Sequence, residues 1–252
     1  MKKFVIAAAA ACFALTGCLE TTQEITLKED GSGTVTSVSD MGALLDLVKS
    51  MGAGGDMEKA GDKVMDTTIA LAEVTEKITD ASAEEKQLLA KGSMGLKMNL
   101  KENTFSTSLN FPFTHTDQIS VFSRLTNKVV GTLMKDEMAS SPMGSQMGGD
   151  IPPISSIEDY YILKFEKGEI KRTLNKEKYA SVSSDEYLAG LKQAGAMGLE
   201  GHNTCVINLP KPAQKLEGKN AVLSDDKMKV TIKAGLDEFF ETPEALEFKV
   251  KW

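Results

Sequence analysis

The chain is poor in the residues that catalyse or crosslink. Its 252 residues include three cysteines, two histidines and one tryptophan. Cys12 and Cys18 fall in the N-terminal segment, which leaves Cys205 alone in the body, so no disulfide framework can staple the fold. His115 and His202 are far apart, and neither stands in a metal-ligand spacing such as His-Glu-x-x-His. There is no Gly-x-Ser-x-Gly nucleophile elbow and no Walker-type glycine loop. Positive charge is also in deficit: 29 Lys and Arg stand against 36 Asp and Glu, a formal net charge of −7. That balance argues against a nucleic-acid partner, whose phosphates demand a basic surface. No cofactor is expected from these motifs.

The N-terminus carries a clear signal. Lys2 and Lys3 supply positive charge, Phe4 to Leu15 is an alanine-dominated apolar stretch, and Thr16 and Gly17 are small. The stretch falls short of the roughly 20 residues needed to span a bilayer. It reads as a secretion signal rather than a fold element. The run Leu15-Thr16-Gly17-Cys18 resembles the lipobox of bacterial lipoproteins processed by signal peptidase II. That resemblance implies removal of residues 1–17 and acylation of Cys18, palmitate included, as the new N-terminus. One chain binds a membrane marginally and two or more anchor it stably. Losing Lys2 and Lys3 takes the formal charge from −7 to −9, so the lipid and not protein charge must hold the membrane. In Gram-negative lipoproteins of this kind, an aspartate after the cysteine retains the protein at the inner membrane. Leu19 therefore implies the outer membrane. Glu20 is the sole acid before Glu24, not a surface-export cluster, and this implies the periplasmic face.

Apolar residues alternate in pairs of short stretches, which predicts an α+β fold: a mostly antiparallel sheet built from hairpins, each followed by a helix on one face. In the first pair, Ile25 and Leu27 lead through Glu29-Asp30-Gly31-Ser32-Gly33 to a returning strand over 34–39, and Asp40 caps a helix through Leu44, Leu45, Leu47 and Val48. In the second, Leu96, Met98 and Leu100 turn at Glu102-Asn103 into Phe105, Leu109, Phe111 and Phe113. A helix follows from Thr116 or Asp117. In the third, Tyr161, Leu163 and Phe165 turn at Lys167-Gly168 into Ile170 and Leu174, with a helix capped by Ser183 and Glu186. Ser82 and Glu85 form another capping box for a helix that Gly92 ends. Cys205, Ile207 and Leu209 alternate, as do Met228, Val230 and Ile232, and then Leu246, Phe248, Val250 and Trp252 after a short helix near 236–241. Gly52 to Asp62 and 139–156 read as linkers. The organisation expected is a leader over 1–17, a tether over 18–23, an N-terminal α+β lobe over 24–138, a Met/Gly/Ser/Pro linker over 139–156, and a strand-rich lobe over 157–252.

Each candidate for chemistry has a structural alternative. Ser224-Asp225-Asp226-Lys227 satisfies Ser-x-x-Lys but lies in a turn between strands, without its partner motifs. Cys205 alternates with apolar residues and reads as core. Asp30-Gly31-Ser32-Gly33 reads as a hairpin turn before a half calcium loop, which would lack its bidentate acid. Met134, Met138, Met143 and Met147 follow one another beside a Gly/Ser-rich segment; thioethers are soft ligands that select Cu(I), and the alternative is opportunistic packing. Phe111-Pro112-Phe113 is a core plug where a helix docks, or a recognition anchor.

Two stretches of the mature chain resemble uncharacterised envelope lipoproteins of the LppM type. They are Ile25 to Val38, with its Asp-Gly-Ser-Gly turn, and Val206-Ile207-Asn208-Leu209-Pro210 with Gly218-Lys219-Asn220-Ala221. That likeness brings no catalytic residue and implies a non-enzymatic α+β envelope protein. The expected function is a lipid-anchored protein acting by binding or structural contact, its partners the membrane through Cys18 and an unidentified envelope protein. A Cu(I)- or ligand-binding module using 134–147 is the alternative, followed by a hydrolase built on carboxylates.

Overall fold

The Asp30-Gly31 turn nucleates the first hairpin. Strand β1 (Gly17–Leu27) runs antiparallel to β2 (Gly33–Asp40), with Ile25 opposite Val35. The Asp30 carboxylate accepts hydrogen bonds from the Ser32 hydroxyl at 2.7 Å and the Ser32 N–H at 2.9 Å, while Gly31 takes φ +83°. Those bonds hold the Asp30 carboxyl below its ordinary value. The loop is a self-satisfied hairpin turn. A methyl group at Gly33 would lie 1.9 Å from the Thr26 carbonyl oxygen and 2.5 Å from the Phe113 ring. Gly33→Ala is therefore expected to destabilise the protein by about 3 kcal/mol, the upper range for forced overpacking. Urea denaturation followed by far-UV circular dichroism measures it.

The structure, a computed structural model, describes residues 17–42, 64–78, 81–99, 101–140, 155–166, 168–196 and 199–252. Further strands are β3 (Val64–Ala70), β4 (Ser93–Asn99), β5 (Thr104–Phe113), β6 (Tyr161–Glu166), β7 (Glu169–Leu174), β8 (Leu199–Asn208), β9 (Lys215–Glu217), β10 (Ala221–Leu223), β11 (Lys229–Gly235) and β12 (Phe248–Lys251). The helices are α1 (Ala83–Leu89), α2 (Gln118–Ser140), α3 (Lys176–Tyr179), α4 (Glu186–Ala196) and α5 (Leu236–Glu241). An eight-stranded sheet runs in the order β10-β11-β8-β1-β2-β5-β4-β3, and a four-stranded sheet in the order β6-β7-β12-β9. Every described pairing is antiparallel except β1 with β8, which is parallel. The expected α+β class and its antiparallel hairpins stand.

The core lies between the two sheets and α2. Ile25, Val35, Phe111, Ile207 and Val230 from the large sheet meet Ile170, Phe248 and Val250 from the small one. Ile119, Phe122, Leu125 and Val129 of α2 bury the helical stripe that their spacing announces. Phe111 and Phe122 stack at 4.7 Å between ring centroids, so Phe111-Pro112-Phe113 plugs the core. Burying each ring contributes about 2 kcal/mol.

Several expectations change. Residues 18–23, expected as a tether, are strand: all six pair with β8, Cys18 level with Glu200 and Gln23 level with Cys205, and from Glu20 onward they pair with β2 as well. The break at 139–156 does not divide the sheet work between two lobes, because β8, β10 and β11 join β1 to β5 in one sheet. The cap of α4 is Asp185, whose carboxylate accepts from Leu188 N–H at 3.0 Å; Ser183 lies in the preceding 3-10 turn (Val182–Ser184). Gly92 has no left-handed backbone. Its missing side chain makes room for the Phe111 ring, which a methyl group would approach to 2.6 Å. The capping box at Ser82 and Glu85 forms as expected. Of the helix expected after Asp40, the structure shows Gly42 N–H donating to the Asp40 carboxylate at 2.9 Å. The rest of that helix and the Gly52 to Asp62 linker lie outside the described residues.

Candidate functional site

An open cleft of about 650 Å³ forms where three segments distant in sequence meet. Gly31 of the first hairpin turn lines one end. His115, Thr116, Asp117 and Ser120 line one wall, where β5 gives way to α2. That junction is fixed locally: Thr114 N–H donates to the Gln118 carboxamide at 3.0 Å, and the Ser120 hydroxyl donates to the Asp117 carbonyl at 3.0 Å. The opposite wall is Leu163, Lys164, Phe165 and Glu166 of β6. Side chains alternate faces along a strand, so what four consecutive residues present in common is backbone. β6 is one of the two edge strands of the small sheet among the described residues, the other being β9.

Behind that sheet lies a buried ion pair. Arg172 of β7 is 4% exposed, lies 3.3 Å from the Glu158 carboxylate and stacks over the Tyr161 ring at 4.0 Å from its centroid. Its Nε has no hydrogen-bond partner among the described residues. Cys205 of β8 feels the same pair: burial first, then the Glu158 charge, push its thiol up to about 12, against the pull of Arg172. A thiol so raised stays protonated and unreactive at neutral pH, as its core position implies.

A second cluster gathers Tyr160, Tyr161, Leu174, Leu188, Phe239 and Leu246, with Tyr179 and Tyr187 packed against it. Three of the four tyrosines there place the hydroxyl in a hydrogen bond. Tyr160 donates to Asp185 at 2.8 Å, Tyr161 to the Pro243 carbonyl at 2.8 Å and Tyr179 to the Phe239 carbonyl at 2.7 Å. Burial raises all four phenols above their ordinary value near 10, Asp185 adding to the effect at Tyr160. Below that value the folded and unfolded phenols are both protonated. Above it only the unfolded chain releases protons, so stability falls as pH rises. The slope is expected to approach about 1.4 kcal/mol per pH unit for each of Tyr160 and Tyr161, whose phenols are raised furthest. Absorbance at 295 nm should show phenolate appearing in one step, together with loss of circular dichroism; smooth titration of a folded chain would contradict it.

The residues singled out from sequence are not brought together. Cys18 is near the start of β1, at one end of the large sheet. Met134 and Met138 lie on α2, while Met143 and Met147 fall outside the described residues. Ser224 hydrogen-bonds Asp226 at 2.6 Å and receives Lys229 N–H at 3.0 Å, and Lys227 adopts φ +58°, so Ser-x-x-Lys is a strand-to-strand turn. His202 pairs with Glu200 at 3.5 Å on the exposed face of β8, away from His115 in the cleft. Among the described residues no three His, Cys, Asp or Glu side chains are grouped to hold a metal, and no helix is long and apolar enough to cross a membrane. The cleft and the Arg172 pair escaped sequence reading. Only the alternation of β6 pointed toward either.

No protein-family model matches the sequence, and no curated protein does. Among solved structures, the folded domain of LppM from Mycobacterium tuberculosis, determined by NMR, aligns with a TM-score of 0.39 and 7% identity over 94% of this chain and 91% of that one. A likeness so slight carries no functional argument.

Proposed function

We propose that this is a lipid-anchored protein of the bacterial cell envelope, held at the periplasmic face of the outer membrane, that works by non-covalent contact. The observation carrying the reading is the run Leu15-Thr16-Gly17-Cys18 behind a charged and apolar leader. The fold adds a constraint. Because Cys18 already belongs to a strand paired with β8, an acyl group on it would join the lipid directly to a central strand of the large sheet. The body would then rest against the bilayer, with the sheet end that holds Asp40, Val64, Asn99 and Thr104 facing the headgroups. Val64 is 69% exposed at that rim. Support for contact in place of catalysis comes from the duties of the candidate nucleophiles: Cys205 is core and Ser224 closes a turn.

Mass spectrometry of the purified chain tests the address. Acylated Cys18 at the N-terminus is the expected result, and an intact or unmodified leader end overturns it. Photo-crosslinking in cells tests the mode of action. One abundant protein neighbour is expected, and crosslinks to lipid alone would refute a protein partner.

A further inference from the structure

The β6 edge is a strand with its hydrogen-bonding groups turned into a cleft. Asn175 N–H donates to the Tyr160 carbonyl at 2.9 Å, just beyond the Tyr161–Leu174 pair of the β6–β7 ladder. Antiparallel partners alternate between bonded and non-bonded pairs. Ile162, Lys164 and Glu166 therefore bond to β7, and Leu163 and Phe165 turn N–H and C=O outward. Their side chains pack on the core yet stay partly exposed, and no strand among the described residues flanks them. Lys164 and Glu166, on the opposite face, are exposed and carry opposite charges. Ser120 and His115 stand across the gap.

We propose that this edge, walled by the start of α2, is a docking groove for an extended segment of a partner protein, which adds to the small sheet as a fifth strand. The inference deepens the reading of a contact protein and rests on it. Four residues of β6 offer about 13 Å of extended backbone, facing an open cleft of about 650 Å³. Backbone bonding supplies affinity and alternate side chains supply selectivity. The matching segment carries apolar residues beside Leu163 and Phe165, an acid beside Lys164 and a base beside Glu166.

The test pans phage-displayed random nonapeptides on the full chain, purified in detergent. Enriched peptides should show alternating apolar residues and slow amide hydrogen exchange at Leu163 and Phe165. Leu163→Pro removes an outward N–H and no ladder bond, a place where edge strands accept proline. It should weaken binding about tenfold, the effect of roughly 1.4 kcal/mol of lost hydrogen bonding. Should proline disturb the fold, the double variant Lys164→Glu with Glu166→Lys serves instead, and selection on it should recover peptides of reversed charge. Failure to enrich any peptide, equal binding to Leu163→Pro, or protection confined to other strands would overturn the proposal. So would self-association of the chain that Leu163→Pro abolishes, since the occupant would then be a second copy. An unacylated Cys18 in the same preparation would remove the envelope address and leave these readouts intact, so the two failures are separable.

Discussion

Arg172→Ala is expected to destabilise the protein by about 3–5 kcal/mol, the range for removing one partner of a buried ion pair. Two effects add. The Glu158 carboxylate, with 18% of its side chain exposed, loses its counter-ion, and the space under the Tyr161 ring empties, since the guanidinium fills it at 4.0 Å. The double variant Arg172→Met with Glu158→Gln separates them. It restores bulk and removes both charges, and it should lie within about 1.5 kcal/mol of the parent or exceed it, because the pair leaves Nε unsatisfied and so recovers only part of its desolvation. Chemical denaturation of the three chains gives the comparison. A double variant as unstable as Arg172→Ala would show that the charges themselves, and not the unpaired carboxylate, hold this layer together.

Cys18→Ala should abolish acylation altogether while leaving the fold intact. Metabolic labelling with a palmitate analogue is expected to mark the parent and not the variant, and the variant should keep residues 1–17, visible as a heavier chain. The body should be indifferent to the change, because the pairing of β1 with β2 and β8 runs through backbone groups that alanine retains. Parent protein should stay membrane-bound in high salt, since a processed chain with a formal charge of −9 gains nothing from anionic lipid and the attachment expected of acyl chains is insensitive to screening. Release of the parent by salt would place the attachment in charge instead.

The parts of the fold legible from sequence are those set by neighbours along the chain. Asp30-Gly31 and Glu102-Asn103 announce their turns, and the alternation of Phe111 with Phe113 or Ile170 with Leu174 follows from one buried face. β3 was missed because it is an edge strand: Val64, Met65 and Asp66 are all exposed, so Val-Met-Asp-Thr-Thr-Ile-Ala carries no clean period of two. Residues 18–23 looked like a tether for a related reason, since Thr21, Thr22 and Gln23 satisfy their backbone in the sheet without burying apolar side chains. The β1–β8 pairing joins residues some 180 positions apart, beyond the reach of any local pattern. The candidate cleft inherits that difficulty, since Gly31, Ser120 and Leu163 meet only after the sheets have packed.

Strand β1 sits between two neighbours made at very different times. β2 follows it after a short turn, whereas β8 is synthesised only once residues 199–208 exist. A chain emerging N-terminus first therefore holds a completed hairpin with one bare flank while most of the body is still to come. Closing that gap is the least local event in the assembly, and such contacts form slowly because they repay a long loop only at the end. Folding should wait on it, and the interval is when this protein is most open to capture by a chaperone or by another nascent copy of itself.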